Sequence, residues 1–228
     1  MIDVAANYTR VREHVAAVAQ RCGRRPEEIT IVCAAKTKGP ELIRAAIAAG
    51  AMDIGENYVQ EAEEKSAQIA EPIRWHMIGH LQRNKAKKAL TLFTLLHSLD
   101  SVALAHALQR HCEQLGLTAR ALIEVNLGRE QTKSGIAADQ VEALLTALTD
   151  LPAVRVEGLM VIPPPQAHPE GSRPYFRALA RLRARYERFR TANIDLRELS
   201  MGMTDDYPIA IEEGATIVRI GRAIFGER

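Results

Sequence analysis

The chain has 228 residues, 47% of them hydrophobic but only 4% aromatic, and its 30 basic and 28 acidic residues leave a formal net charge of +2. That length suits one domain with a large core of Ala, Leu, Ile and Val, and the balanced charge argues against a dedicated nucleic-acid binder or a membrane-surface protein. Three widely spaced cysteines, Cys22, Cys33 and Cys112, fit a reduced cytoplasmic protein better than a disulfide framework. No run approaches the roughly eighteen apolar residues of a membrane span. Arg10, Arg12, Glu13 and His14 interrupt the stretch where a signal peptide needs an apolar centre.

Tyr8, Val11, Val15, Val18 and Cys22 recur at spacings of three and four, which predicts an amphipathic opening helix ended by Gly23. A regular alternation follows. Short apolar runs at 29–36, 52–57, 74–79, 95–100, 120–127, 154–162, 198–203 and 217–225 read as strands. Helical patterns fall between and after them at 41–49, 58–69, 84–92, 101–115, 138–148, 174–189 and 205–213. Strands alternating with helices imply a parallel sheet, and eight is the count at which such a sheet closes. The expected fold is therefore an α/β single (β/α)8 TIM barrel spanning 1–228, with an extra N-terminal helix. An open doubly wound sheet is the alternative, but the Gly-x-Gly-x-x-Gly turn expected after its first strand is absent. The stretch 163–174 is the longest irregular segment, a candidate loop after strand six.

Active-site residues of such barrels lie at the C-terminal strand ends. Lys36 ends the first strand, Ile29-Thr-Ile-Val-Cys-Ala-Ala-Lys36. Burial there favours the free amine, which is how proteins prepare a lysine to form a Schiff base with an aldehyde or ketone. The plainer possibility is that Lys36 extends to solvent from the strand end. On strand eight, a period of two puts Ile217, Arg219 and Gly221 on one face and Val218 and Ile220 on the other. Arg219 then points into the barrel mouth, where it needs an acceptor: Glu124, Glu157 or a ligand. Ser200 and Gly202 after strand seven, with Gly221 and Arg222 after strand eight, lie where barrels often bind phosphate. Lysine, inward arginine and phosphate cup together describe pyridoxal phosphate (PLP), whose aldehyde, ring nitrogen and phosphate each need a partner. A Schiff-base aldolase acting on a phosphosugar needs the lysine and the cup, but gives Arg219 no task.

Other signals are weaker. His76 and His80 are four apart on a strand and its exit, with no third ligand at metal spacing. Arg173, Arg177, Arg181 and Arg185 line one face of a helix, which reads as a solvated surface or as a docking face for an acidic partner. Arg83, Lys85, Lys87 and Lys88 read the same way. No Gly-x-Ser-x-Gly elbow or Walker loop is present.

Several stretches resemble the pyridoxal phosphate homeostasis protein family. They are Lys36-Thr-Lys38, Gly55-Glu-Asn-Tyr-Val-Gln-Glu61, Trp75-His-Met-Ile-Gly-His-Leu-Gln82 with Asn84-Lys85, Gly158-Leu-Met160, Arg173-Pro-Tyr-Phe176, Ser200-Met-Gly-Met203 with Asp206, and Val218-Arg-Ile-Gly221 followed by Ile224-Phe-Gly226. The resemblance implies a barrel similar to the N-terminal domain of alanine racemase, with PLP on Lys36. It implies that Ser200, Gly202, Gly221 and Arg222 hold the phosphate, the last two mainly through backbone groups. Arg219 would face the pyridine nitrogen, and Asn57 and Met160 would lie near the ring. Thr204 stands where the family usually has serine, Ala35 often has serine in its place, and Pro208 replaces a more typical apolar or acidic residue.

An arginine at the ring nitrogen donates hydrogen bonds without protonating the ring, so it weakens the electron sink. Racemisation needs a second base, which the alanine racemase resemblance would put on a C-terminal β-domain, and the sequence ends at Arg228 without one. The expectation is a cytoplasmic, monomeric carrier or regulator of PLP, with no catalytic residues and no metal, and with PLP-dependent apoenzymes as candidate recipients of the cofactor. A racemase-like enzyme using water or His80 as second base is the alternative.

Overall fold

Asp3 opens the first helix, its carboxylate accepting a hydrogen bond from the Ala6 N–H at 2.9 Å in place of the missing helical partner. The computed structural model describes residues 2–128 and 134–227. Its elements run α1 (Val4–Arg21), β1 (Thr30–Ala34), α2 (Pro40–Ala48), β2 (Asp53–Glu56), α3 (Val59–Ser66), β3 (Arg74–Met77), α4 (Ala86–Leu92), β4 (Leu95–Leu99) and α5 (Val102–Leu115). There follow β5 (Ala119–Asn126), β6 (Ile136–Ala137), α6 (Val141–Leu148), β7 (Val154–Met160), α7 (Arg173–Tyr186), β8 (Ile194–Ser200), α8 (Tyr207–Glu212), β9 (Ile217–Ile220) and α9 (Arg222–Phe225).

The strands lie in the order β4-β3-β2-β1-β9-β8-β7-β5-β6, and β4 also pairs with β5. The pairings are parallel, and β6 is a two-residue spur on β5. The other strands close into the (β/α)8 barrel that the alternation predicts. No helix among the described residues is long and apolar enough to cross a membrane.

Strand parity sorts the core into two compartments. Val32, Ile78, Leu95, Leu122, Met160 and Ile217 form a small cluster inside the barrel. Cys33, Ile54, Trp75, Leu96, Ile123, Leu159, Val218 and Ile220 belong to the larger cluster between strands and helices. Fully burying one such aliphatic side chain contributes about 1.5–3 kcal/mol, so the outer layer supplies most of the driving force. The extra helix α1 buries Val4, Tyr8, Val11, Val15, Val18 and Ala19 and packs on α2, α8 and α9. It covers the barrel where the four-residue α9 is too short to do so.

Two strands differ from the sequence reading. The seventh barrel strand, expected at 198–203, starts at Ile194, because Asp195 and Arg197 alternate with buried Ile194 and Leu196 and mask the apolar signal. The eighth, expected to run to 225, stops at Ile220. Gly221, with φ −112° and ψ −74°, turns the chain directly into α9.

Candidate functional site

Parallel register gathers the predicted residues on five neighbouring strands. Met160 ends β7 opposite Ser200 of β8, and Ser200 lies opposite Ile217 of β9. Arg219 pairs with Val32 of β1, four residues before Lys36, and Ala34 pairs with Gly55 of β2, two residues before Asn57. A Cβ on Gly221 would sit 3.2 Å from the Ala34 carbonyl, a tight contact with the strand that carries Lys36.

Lys36 is half-buried in a tight turn closed by the Lys38 N–H donating to the Ala35 carbonyl at 3.0 Å. Thr37, the next residue, has φ 63°, the one non-glycine in the left-handed region among the described residues. For a β-branched residue that conformation costs on the order of 1–3 kcal/mol and persists only where the surroundings enforce it.

Arg219 points inward, as its parity requires, and is 4% exposed. Its Nη1 donates to the Ser200 hydroxyl at 2.5 Å and its Nη2 to the Val161 carbonyl at 2.9 Å. Neither carboxylate named as a candidate acceptor bonds to it. Glu157 instead receives both arms of Arg120, at 2.8 and 2.7 Å. Glu124 and Asp206 act on Arg219 through their charge. Burial pulls the guanidinium down to about 10 against that favourable field, so it stays cationic at neutral pH.

Behind Arg219 runs a chain of buried polar groups. His97 Nδ1 lies 2.9 Å from the Ser200 hydroxyl, and His97 Nε2 lies 3.0 Å from His76 Nδ1. His76 Nε2 lies 2.9 Å from Asp53, which also takes both arms of Arg74 at 2.6 Å. Burial, then the charges of His76 and Arg219, hold His97 well below the usual histidine range, so it is neutral. Asp53 accepts and Arg219 donates, so His76 donates to Asp53 and Arg219 to the Ser200 hydroxyl, while the neutral His97 between them donates from one ring nitrogen and accepts at the other. These bonds fix the guanidinium plane.

Ser200, expected in the phosphate cup, is thus fully buried with its hydroxyl engaged by Arg219 and His97. Thr204 presents its hydroxyl to the Ala223 N–H at the start of α9, at 3.4 Å. Gly202 has φ 93°, and a Cβ there would come within 2.5 Å of Ala210, so its loop packs tightly against α8. The Arg222 side chain turns outward to Asp205 and Glu227. Met160 lies in the interior cluster, and Asn57 lines a cleft of about 340 Å³ with Gly79, His80 and Lys85. Glu124 accepts from Ser134 at 2.9 Å, and its other oxygen is buried without a partner among the described residues. Burial raises its pKa. The donor set fits PLP: an amine at one strand end, a cationic donor on the next strand, and two glycine-bearing loops beside it.

Residues 6–228 match the alanine racemase N-terminal domain family. The pyridoxal phosphate homeostasis protein of Aquifex aeolicus is 42% identical over 228 residues, covering 100% of this chain and 99% of its own. The chain belongs to the pyridoxal phosphate homeostasis protein family. The Escherichia coli K12 member is 41% identical over 238 residues, covering 100% of this chain and 98% of its own. Among solved structures, PipY of Synechococcus elongatus PCC7942 with PLP bound superposes with a TM-score of 0.86 at 33% identity, covering 98% of this chain and 100% of that one.

For this homeostasis-family chain, sequence reasoning missed Asp53 and His97. Both leave a faint signal, a polar residue at interior parity in an otherwise apolar strand. It also missed Lys65, which sits in the Glu-rich helix Val-Gln-Glu-Ala-Glu-Glu-Lys-Ser and reads as a surface residue.

Proposed function

We propose that this protein binds PLP covalently through Lys36 and serves to hold and release the cofactor. The Lys36 amine and the cofactor aldehyde would form a C=N bond with loss of water, a linkage that water reverses. PLP, when bound, supplies an electron sink for amino-acid chemistry. Arg219 faces the ring nitrogen as a donor that keeps its own proton, which leaves that sink weak. Gly202, Gly221, the Arg222 backbone and the Thr204 hydroxyl take the phosphate. Ser200 acts through Arg219, and Asn57 and Met160 bound the ring. The observation that carries this proposal is the juxtaposition of a cationic Arg219, buried and immobilised on β9, with the Lys36 turn on the adjacent β1.

Because an arginine that keeps its proton leaves the electron sink weak, we assign the protein a carrier or regulatory role, acting as a monomer that supplies apoenzymes. Two measurements test this. Borohydride reduction after incubation with PLP should add one pyridoxyl phosphate mass, mapped to Lys36. A protein that takes up no PLP would end the proposal. Incubation with L- and D-amino acids in deuterated water should give no α-proton exchange at catalytic turnover. Sustained exchange would instead favour a racemase-like enzyme, with His80, 3.2 Å from Asp100 at the barrel mouth, as the first residue to vary.

A further inference from the structure

The two backbone groups that flank Lys36 are both gripped from outside the barrel. The Ala35 carbonyl accepts from Lys65 Nζ at 3.0 Å, and the Thr37 N–H donates to Glu61 at 3.1 Å. The same Lys65 amine donates to Glu56 at 2.7 Å and to Glu61 at 3.2 Å, so all three of its donors are used. Glu56 ends β2 on the face under α3 and is fully buried, and Lys65 is 8% exposed. Ion pairs this deep gain little net stability over an apolar pair, because both charges lose their water. What this one provides is position. It closes on the residues before and after Lys36, at the point where Thr37 holds a left-handed backbone.

We infer that Lys65, Glu61 and Glu56 are positioning residues that clamp the Lys36 turn and aim its amine at the cofactor. The clamp spans two elements, β2 and α3, and fixes a third segment, the exit of β1. Lys65 sets the Ala35 carbonyl, Glu61 sets the Thr37 amide, and Glu56 anchors Lys65 to the sheet. The role at the cofactor rests on the PLP proposal above. The clamp itself is a property of the chain alone.

The experiment separates the two. In PLP-free protein, amide hydrogen exchange at Thr37 and Lys38 should rise about tenfold or more in Lys65→Met and in Glu61→Ala, as expected for losing one charge-assisted hydrogen bond, while β5 and β7 stay protected. In PLP-treated protein, the initial rate of borohydride-trapped label on Lys36 should fall by about the same factor, and Lys65→Arg should restore both readouts. Should Lys65→Met fail to fold, Glu61→Ala, at the partly exposed end of the clamp, carries the test. Folded variants with wild-type exchange and wild-type labelling overturn the inference. Faster exchange with unchanged labelling also overturns it, because the clamp would then not aim the amine. Wild-type protein that never labels at Lys36 removes the PLP proposal, and the exchange arm still decides whether the clamp exists.

Discussion

Two buried polar assemblies support the two halves of the site, and they are built on opposite principles. Inside the barrel, an unbroken chain of hydrogen bonds runs from Asp53 through His76, His97 and Ser200 to Arg219, with a neutral imidazole at its centre. Outside it, the Glu56–Lys65–Glu61 clamp leaves one Glu56 oxygen without a partner among the described residues. Burial outweighs the Lys65 bond and raises Glu56 to about 7. His97 in the first assembly stays neutral across the physiological range, and Glu56 in the second changes charge within it. The buried Arg219 is thus held through a neutral imidazole, and the Lys36 turn by an assembly that contains a titrating carboxyl.

The linkage signs of the two centres are opposite. His97 is neutral in the fold and protonates readily when unfolded, so its contribution to stability is lost as pH falls below about 6.5. Glu56 binds its proton more tightly in the fold. Its contribution is present at low pH and is lost as pH rises from its ordinary value near 4.5 through about 7.

The largest effect is expected where the interior chain is cut. His97→Ala leaves a cavity and strands the His76 and Ser200 partners, so urea unfolding at pH 7.5 should show a loss of about 3–5 kcal/mol. A loss under about 1 kcal/mol would mean that water replaces the imidazole and that the chain does not fix Arg219. Next comes the clamp. Lys65→Met leaves Glu56 buried without its cation and should cost about 3 kcal/mol at pH 8, while the double variant Glu56→Gln/Lys65→Met should recover most of it. Simple additivity of the two substitutions would show that the residues do not act as a unit.

The fold and the residues at its strand ends were largely legible in the sequence, because short apolar runs and their parity report burial directly. Parity alone turned Arg219 inward and Val218 and Ile220 outward. What held Arg219 was not legible. Ser200 is 19 residues away and Val161 58, and only the β7–β8–β9 register brings them to it. The same limit hid the clamp: Glu56 and Lys65 are nine residues apart across a strand, a turn and a helix. Helical periodicity cannot tell a lysine beneath α3 from one beside it. Ser200 read as a phosphate ligand because a serine after a strand beside a glycine fits such a cup, and its inward hydroxyl appears only once His97 is placed beside it.

A smaller effect should separate the titrating assembly from the fixed one. Glu56→Gln removes the proton whose uptake is favoured by folding, so its unfolding free energy should lose the decline between about pH 4.5 and 7 that Glu56 is expected to give the wild type. The difference should be on the order of 1–3 kcal/mol across that range. The charged groups facing Glu56 are Lys65 and Glu61, both on α3, and Glu61 lies at the partly exposed rim. Glu61→Gln is therefore the control, and it should keep the decline. An unchanged slope in Glu56→Gln would place the titration elsewhere.

The smallest change in stability is expected at Thr37, and there the cancellation is informative. Thr37→Gly removes a left-handed strain of about 1 kcal/mol or somewhat more, but it also frees the unfolded chain by about 0.4–1 kcal/mol. Net stability should therefore move by less than about 1 kcal/mol. The turn would nevertheless lose its enforced geometry, because glycine samples both signs of φ where threonine is held by the Glu61 bond to its amide. Exchange at Lys38, whose amide closes the turn on Ala35, should accelerate even though the melting temperature barely changes. Unchanged exchange would show that the bonds from Lys65 and Glu61 hold the Lys36 turn without help from Thr37, and that the strain is incidental to how the lysine is presented.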